Sequence, residues 1–322
     1  MTYSSGGLIQ ATDYNGFVST TVGANVNATW GTGTTSAGYG QTALATVSPG
    51  GTVSATQWAS LVNTITSMAA HQPTTITART APVTGNTITV LSAVNTDITN
   101  CYNNRGNAVA QGSQFTGWTG TNAKTGTTSG ATWTITFTNT VTFASADAAR
   151  YFFNAGGTIK IDVSKTSTGA LGDPEWNDLA NTLCGDIFIT GGAYSQTIAG
   201  QVYTGTTKIG GTGTPSILLT TTGFFDLTPG ALPGVIVYKQ FADTAPYTNN
   251  YIEHILSLNA ASTVLTIFTV WEAADGDPIS GGTAPSGATP GTAPCTIVTY
   301  YPPSTTYLSN TWGTPTVAAT TV

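Results

Sequence analysis

The sequence predicts an α+β chain: an N-terminal helical hairpin domain, then a mainly antiparallel β-rich domain with short covering helices. Three observations carry that prediction. The stretch Trp133–Val163, WTITFTNTVTFASADAARYFFNAGGTIKIDV, reads as strand, helix, strand. Two apolar stripes at helical spacing precede it, over 54–71 and 87–103. A series of short apolar or alternating segments separated by turn residues follows it.

Taken in order, residues 1–50 are polar and glycine-rich, with a helix expected at Tyr14–Val22. The run WGTGTTSAGYGQ lacks both a following Lys-Ser/Thr and a strand–loop–helix frame. It is therefore expected to be a loop on which Trp30 and Tyr39 pack locally, not a phosphate cradle. Ser54 and Gln57 have capping-box spacing. Trp58, Leu61, Val62, Ile65 and Met68 then share a helical face up to His71, and Pro73 closes the helix. Trp58, Leu61 and Ile65 are candidate interface residues, packing either on the second helix or on an adjacent subunit. That second helix is expected over Thr87–Asn103, with Ile98 and Cys101 on one face. The first domain is placed at 1–110.

Gly112–Gly130 reads as a polar loop carrying Phe115 and Trp118. From Trp133, apolar residues alternate with threonines at period two, the signature of a half-buried strand. Ser145 is an N-cap candidate and Asp147 suits the positive helix end. The helix Ala146–Asn154 stops at Gly156 and Gly157, where positive φ is expected. A further helix is expected at Pro174–Leu183, capped by Asp173. Strands are expected at Asp186–Thr190, Ser195–Tyr203, Ser216–Thr221, Val235–Phe241, Tyr251–Leu258, Thr263–Trp271 and Thr296–Tyr301. The β-rich domain is placed at 111–310, with an inserted Pro/Gly lobe at 273–294 and an extended tail at 311–322.

Composition bounds function. Of 322 residues only 7% are charged, against about 25% in typical soluble domains. With 40% hydrophobic and 10% aromatic residues, disorder of the whole chain is not expected. A hydroxyl-covered β-rich surface suits large extracellular assemblies. The net charge is −6 and the basic residues are scattered, which argues against a nucleic-acid surface. No apolar run reaches the ~18 residues of a membrane helix, so membrane insertion is not expected. MTYSSGGLIQATDYNG does not read as a secretory signal.

Reactive constellations are sparse. Asp173, Glu175 and Asp178 suit a helix start better than a glycosidase pair. Asp275-Gly-Asp277 lacks the ligand ladder of a calcium loop and reads as a turn. His71 and His254 adjoin no nucleophile motif, and His71 is expected to cap its helix. Cys101, Cys184 and Cys295 are too widely spaced for a zinc site and are expected to be buried thiols. No cofactor, metal or catalytic residue is expected. Trp312, Tyr300, Tyr301, Tyr307, Tyr247 and Tyr251 fill either the core or a sugar-binding surface, with the core preferred.

The segment FASADAARYFFNAGGTIKI resembles the D-A-D-A-A-R-Y-F-F-N-x-G-G-x-I motif of virion structural proteins in contractile-tailed cyanophages and other aquatic bacteriophages. Asp147, Arg150, Tyr151, Phe152, Phe153, Asn154, Gly156 and Gly157 carry the match. It extends more loosely through ATDYNGFVST, GYGQ and ATQWASLVNTITSMAAHQ, and through KQFADTAPYTNNYIEHILSLNAASTVLTIFTV. The chain departs from the pattern in its lobe at 273–294. The resemblance implies a non-enzymatic virion protein, a tail-fibre or baseplate-peripheral component, present on the particle and released by lysis. It implies partners among copies of the same chain, with a trimer favoured, and other phage structural proteins. Alternatives are a head or neck decoration protein, and an adhesin that binds or depolymerises host surface glycan. The motif supplies no catalytic group; Arg150 is expected to pair with Asp147 or Asn154, or to hold a backbone carbonyl.

Overall fold

The computed structural model describes residues 11–19, 24–85, 93–115, 132–165, 173–192, 194–275 and 295–321. Its helices and antiparallel sheets make an α+β fold. Four helices come first: α1 (Ala11–Val18), α2 (Val26–Thr29), α3 (Ala55–His71) and α4 (Val94–Asn103). The capping box of α3 is formed, with Ser54 Oγ accepting from the Gln57 amide at 3.2 Å and Gln57 Oε1 accepting from the Ser54 amide at 2.8 Å. Helix α3 packs on α2 and α4. Trp58 meets Tyr14 and Phe17 of α1 edge-on.

The strand–helix–strand unit follows as β1 (Trp133–Thr142), α5 (Ala146–Asn154) and β2 (Thr158–Ser164). Next come α6 (Asp173–Asp178), a π-helical segment Leu179–Cys184, β3 (Asp186–Ile189), β4 (Gln196–Ile198), β5 (Gln201–Tyr203), β6 (Thr206–Ile209) and β7 (Ile217–Leu218). The chain continues through β8 (Val235–Phe241), β9 (Tyr251–Leu258), β10 (Val264–Ala273), β11 (Cys295–Tyr301) and β12 (Thr316–Thr321). One sheet runs β12-β1-β10-β9-β8-β7 and a second runs β11-β2-β3-β6. The π-helical segment touches β2 of one sheet and β8 and β9 of the other. Its apolar residues Leu179, Ala180, Leu183 and Cys184 are all buried. One apolar cluster runs from Ala11 through Met68 and Phe137 to Trp312, so helices and sheets on either side of residue 110 share a core.

Several elements differ from expectation. Ser195–Tyr203 is a hairpin, not one strand. Ala199 (φ 50) and Gly200 (φ 83) make the positive-φ turn that reverses it. Thr206–Ile209, not among the expected strands, pairs with β3. The helix expected over Pro174–Leu183 widens to π geometry after Asp178. The tail is extended, as expected, but β12 also pairs with β1 from Phe137 to Thr142 as the edge of the larger sheet. Of the two glycines after α5, only Gly156 has positive φ, at 90°. A Cβ on Gly157 would lie 2.6 Å from the Phe152 ring, so close packing explains that second glycine. The first helix spans Ala11–Val18, and the helix expected from Thr87 begins at Val94, with Ala93 at its N-cap. The rest of that expected helix (87–92), the loop from 116 to 130 and the lobe from 276 to 294 lie outside the described residues.

Candidate functional site

Helix α5, which carries the motif, is built from its cap inward. Ser145 Oγ accepts from the Ala148 amide at 3.0 Å. Asp147 stays at the surface and pairs with Arg150 at 2.9 Å. Arg150 also donates to the Ala37 carbonyl at 3.0 Å and lies over the Tyr151 ring. Asn154 is buried and its amide donates to the carbonyls of Thr35 (3.3 Å) and Gly38 (3.1 Å). Arg150 therefore takes two of its expected partners, Asp147 and a carbonyl. Asn154 reaches the same loop separately.

That loop is the glycine-rich run near residues 31–41, expected to pack only locally. Instead it seats α5. Tyr151 lies against Gly40, where φ is +69° and a Cβ would fall 2.4 Å from the ring. Tyr39 is buried, donates to the Arg105 carbonyl at 2.7 Å and accepts from the Gln72 amide at 2.6 Å. The glycine spacing was visible in the sequence, but its target lies more than a hundred residues away.

Phe152 and Phe153 are fully buried. Their rings join Phe143, Phe224 and Tyr300 at centroid separations of 4.6 to 5.9 Å. They anchor α5 within this chain's core. Trp58, Leu61 and Ile65, expected to pack either on the second helix or on an adjacent subunit, are at most 2% exposed in the single chain. Among the described residues the stripe lies within the chain's own core.

The titratable groups are also tied into the fold. His71 does not cap its own helix. It is buried, and its Nε2 lies 3.2 Å from the carbonyl of Ala155, the C-cap residue of α5. A carbonyl only accepts, so Nε2 carries the proton. Burial pulls its pKa down to about 4. His254 stacks on Tyr238, meets Thr269 Oγ1 at 3.0 Å and is lowered by burial to about 3. Cys101 and Cys184 are buried free thiols raised by burial to about 12. Burial also raises the Glu175 carboxyl, opposed by hydrogen bonds from Thr244. Asp275 accepts from the Asn249 amide at 2.7 Å, while the rest of the turn expected there, 276–277, lies outside the described residues. Among the described residues no group of three metal-ligating side chains comes together.

One concave surface stands out beside α5. Gln111–Phe115 extends the smaller sheet along β11, through Phe115 N to Tyr300 O (2.9 Å) and Gly112 N to Pro302 O (2.8 Å). Facing it, the turn Asn310–Gly313 is closed by Gly313 N donating to Asn310 Oδ1 at 2.8 Å. Between them lies a cleft of about 390 Å³, with Tyr300 and Trp312 in its lining and Phe115 stacked on Tyr300 at 4.7 Å. Both walls are fixed. Tyr300 OH donates to the Pro315 carbonyl, Thr311 Oγ1 donates to the Tyr39 carbonyl, and Gln41 and Ser309 exchange two bonds of 2.9 Å. Tyr300 and Trp312 were among the aromatics singled out in sequence. Gln114 and Asn310 were missed, because nothing in their local pattern marks them.

The molecule is thus an antiparallel α+β protein whose motif helix is clasped by its own N-terminal loop. No protein-family model, curated protein or solved structure matches the chain. Among the described residues no helix is long and apolar enough to cross a membrane.

Proposed function

We propose that this chain is a non-enzymatic structural component of a bacteriophage particle, a tail-fibre or baseplate-peripheral protein. The observation that supports this most is where the family-like segments meet. The GYGQ loop, the AARYFFN helix and the strands YIEHILSL and TVLTIFTV all contribute to one core. The loop and the helix are joined by buried hydrogen bonds. The segments that resemble virion proteins therefore act on one another as scaffold. The ionisable groups fit the same reading. Asp97 pairs with Arg79, Lys160 with Asp162 and Asp186, and Glu253 with Lys239. Both histidines are buried and held neutral.

On this reading the chain assembles with copies of itself, as a trimer in a fibre, and with other particle proteins. Labelling of particles with antibody to the chain, together with a reducing-end assay on host polysaccharide, tests it. Particle-bound label without release of reducing ends is expected. Release of reducing ends, or a monomer that never labels particles, overturns it.

A further inference from the structure

We propose that the cleft between Gly112–Phe115 and Asn310–Thr314 is a binding site for a neutral saccharide. The proposal goes beyond a scaffold role and stands whether or not the chain belongs to a particle.

Its volume of about 390 Å³ falls in the ~300–1,000 Å³ range of small-molecule sites. Among the described residues that line it there is no Asp, Glu, Lys or Arg. A charged ligand would give up its hydration there without a counter-charge, which costs several kcal/mol, on the order of that for burying an unpaired ion. A wholly apolar ligand would leave the rim amides unpaired. What remains is an uncharged molecule with both apolar and hydroxyl faces.

The side chains match that description. Phe115 is 36% exposed, and Tyr300 stacked beneath it fixes its ring plane. Such a ring presents a flat apolar face to the C–H face of a sugar. Two amides flank it, and each is already oriented. Gln114 Oε1 accepts from Tyr301 OH at 3.1 Å, and Asn310 Oδ1 accepts from Gly313 N. Each oxygen keeps a second lone pair and each amide keeps its nitrogen as a donor, so both groups can still donate and accept. Hydroxyls of Thr305 and Thr314 add groups that donate or accept. Fixed donors beside an aromatic plate, on walls tied to the core, constitute a preorganised site.

The test titrates the whole chain with maltohexaose, cellohexaose and chitohexaose by calorimetry and saturation-transfer NMR, with a heparin hexasaccharide as the charged comparison. At least one neutral oligosaccharide is expected to bind saturably, and the heparin fragment more weakly. Phe115→Ala is expected to weaken binding about tenfold, and Gln114→Ala severalfold, with the fold retained and melting temperatures lowered by only a few degrees. Both residues are surface-exposed, and Gln114→Ala serves as the second variant should Phe115→Ala fold poorly. Absence of binding by all three neutral probes, equal binding of the heparin fragment, or unaltered binding by folded variants overturns the proposal.

Discussion

Asn154 shows what the motif does residue by residue. Its amide nitrogen serves two loop carbonyls from a buried position. Asn154→Ala leaves them without a partner and should cost about 1–3 kcal/mol in chemical denaturation. Gly40 and Gly50 form a matched pair for the loop. Both have positive φ, but a Cβ meets the Tyr151 ring at Gly40 and nothing within 4 Å at Gly50. Gly50→Ala should lose only the backbone strain of about 1–2 kcal/mol, while Gly40→Ala loses that and displaces Tyr151. Equal losses would show that the loop does not seat the helix.

The histidines predict a pH effect. Their folded pKa values, about 4 and about 3, lie below the usual value near 6.5. The unfolded chain therefore binds more protons below pH ~6.5, and stability falls as pH drops through that window. Asp162 and Glu175, raised chiefly by burial, oppose this in the acid range. Thermal midpoints should decline from pH ~6.5 to ~4, and less steeply in His254→Gln. A flat profile would contradict the buried neutral rings. At this scale the sequence revealed caps and local pairs such as Ser145 and Asp147–Arg150. It hid the Asn154 and His71 contacts, which join elements far apart in the chain.

Among the elements, β12 carries the clearest test. It pairs along Phe137–Thr142 of β1, so removing residues 316–322 bares that edge. Unpaired edges invite association with other chains. The truncated chain is expected to melt lower and to aggregate, which light scattering would detect. Unchanged stability would mean that the tail does not complete the sheet. Ser145→Ala should cost about 1 kcal/mol through loss of the α5 cap. Apolar or alternating runs bounded by turn residues placed β8, β9 and β10 to within two residues at each end; β10 alternates buried and half-buried positions throughout, and β9 is buried along most of its length. The β4–β5 hairpin and the π-helical segment were illegible. In the hairpin each arm is only three residues long, and the buried positions pass from Gln196 and Ile198 to Tyr203 across the turn, too little for an alternation to register. In the π-helical segment, tertiary contacts with two sheets override an ordinary helical pattern.

At the scale of the molecule, the glycine-rich loop, α5, Tyr300 and the cleft form one connected series. Arg150 and Asn154 hold the loop. Phe152 touches Tyr300 at 5.9 Å, and Tyr300 backs Phe115. The cleft was only half legible in sequence. Its aromatics stood out, but its two walls lie about 200 residues apart and meet only through β11 and the turn after it. A scaffold that also presents such a cleft suits the outer part of a particle, where it meets a cell surface. The role proposed for this chain is that of a repeated structural part of a virion. Cryo-electron microscopy of the intact particle tests it most directly. Density for this two-sheet fold in symmetric copies is expected, with α5 buried inside each copy and the Gly112–Phe115 cleft facing outward. Particles made in the presence of the chain but showing no such density would contradict it.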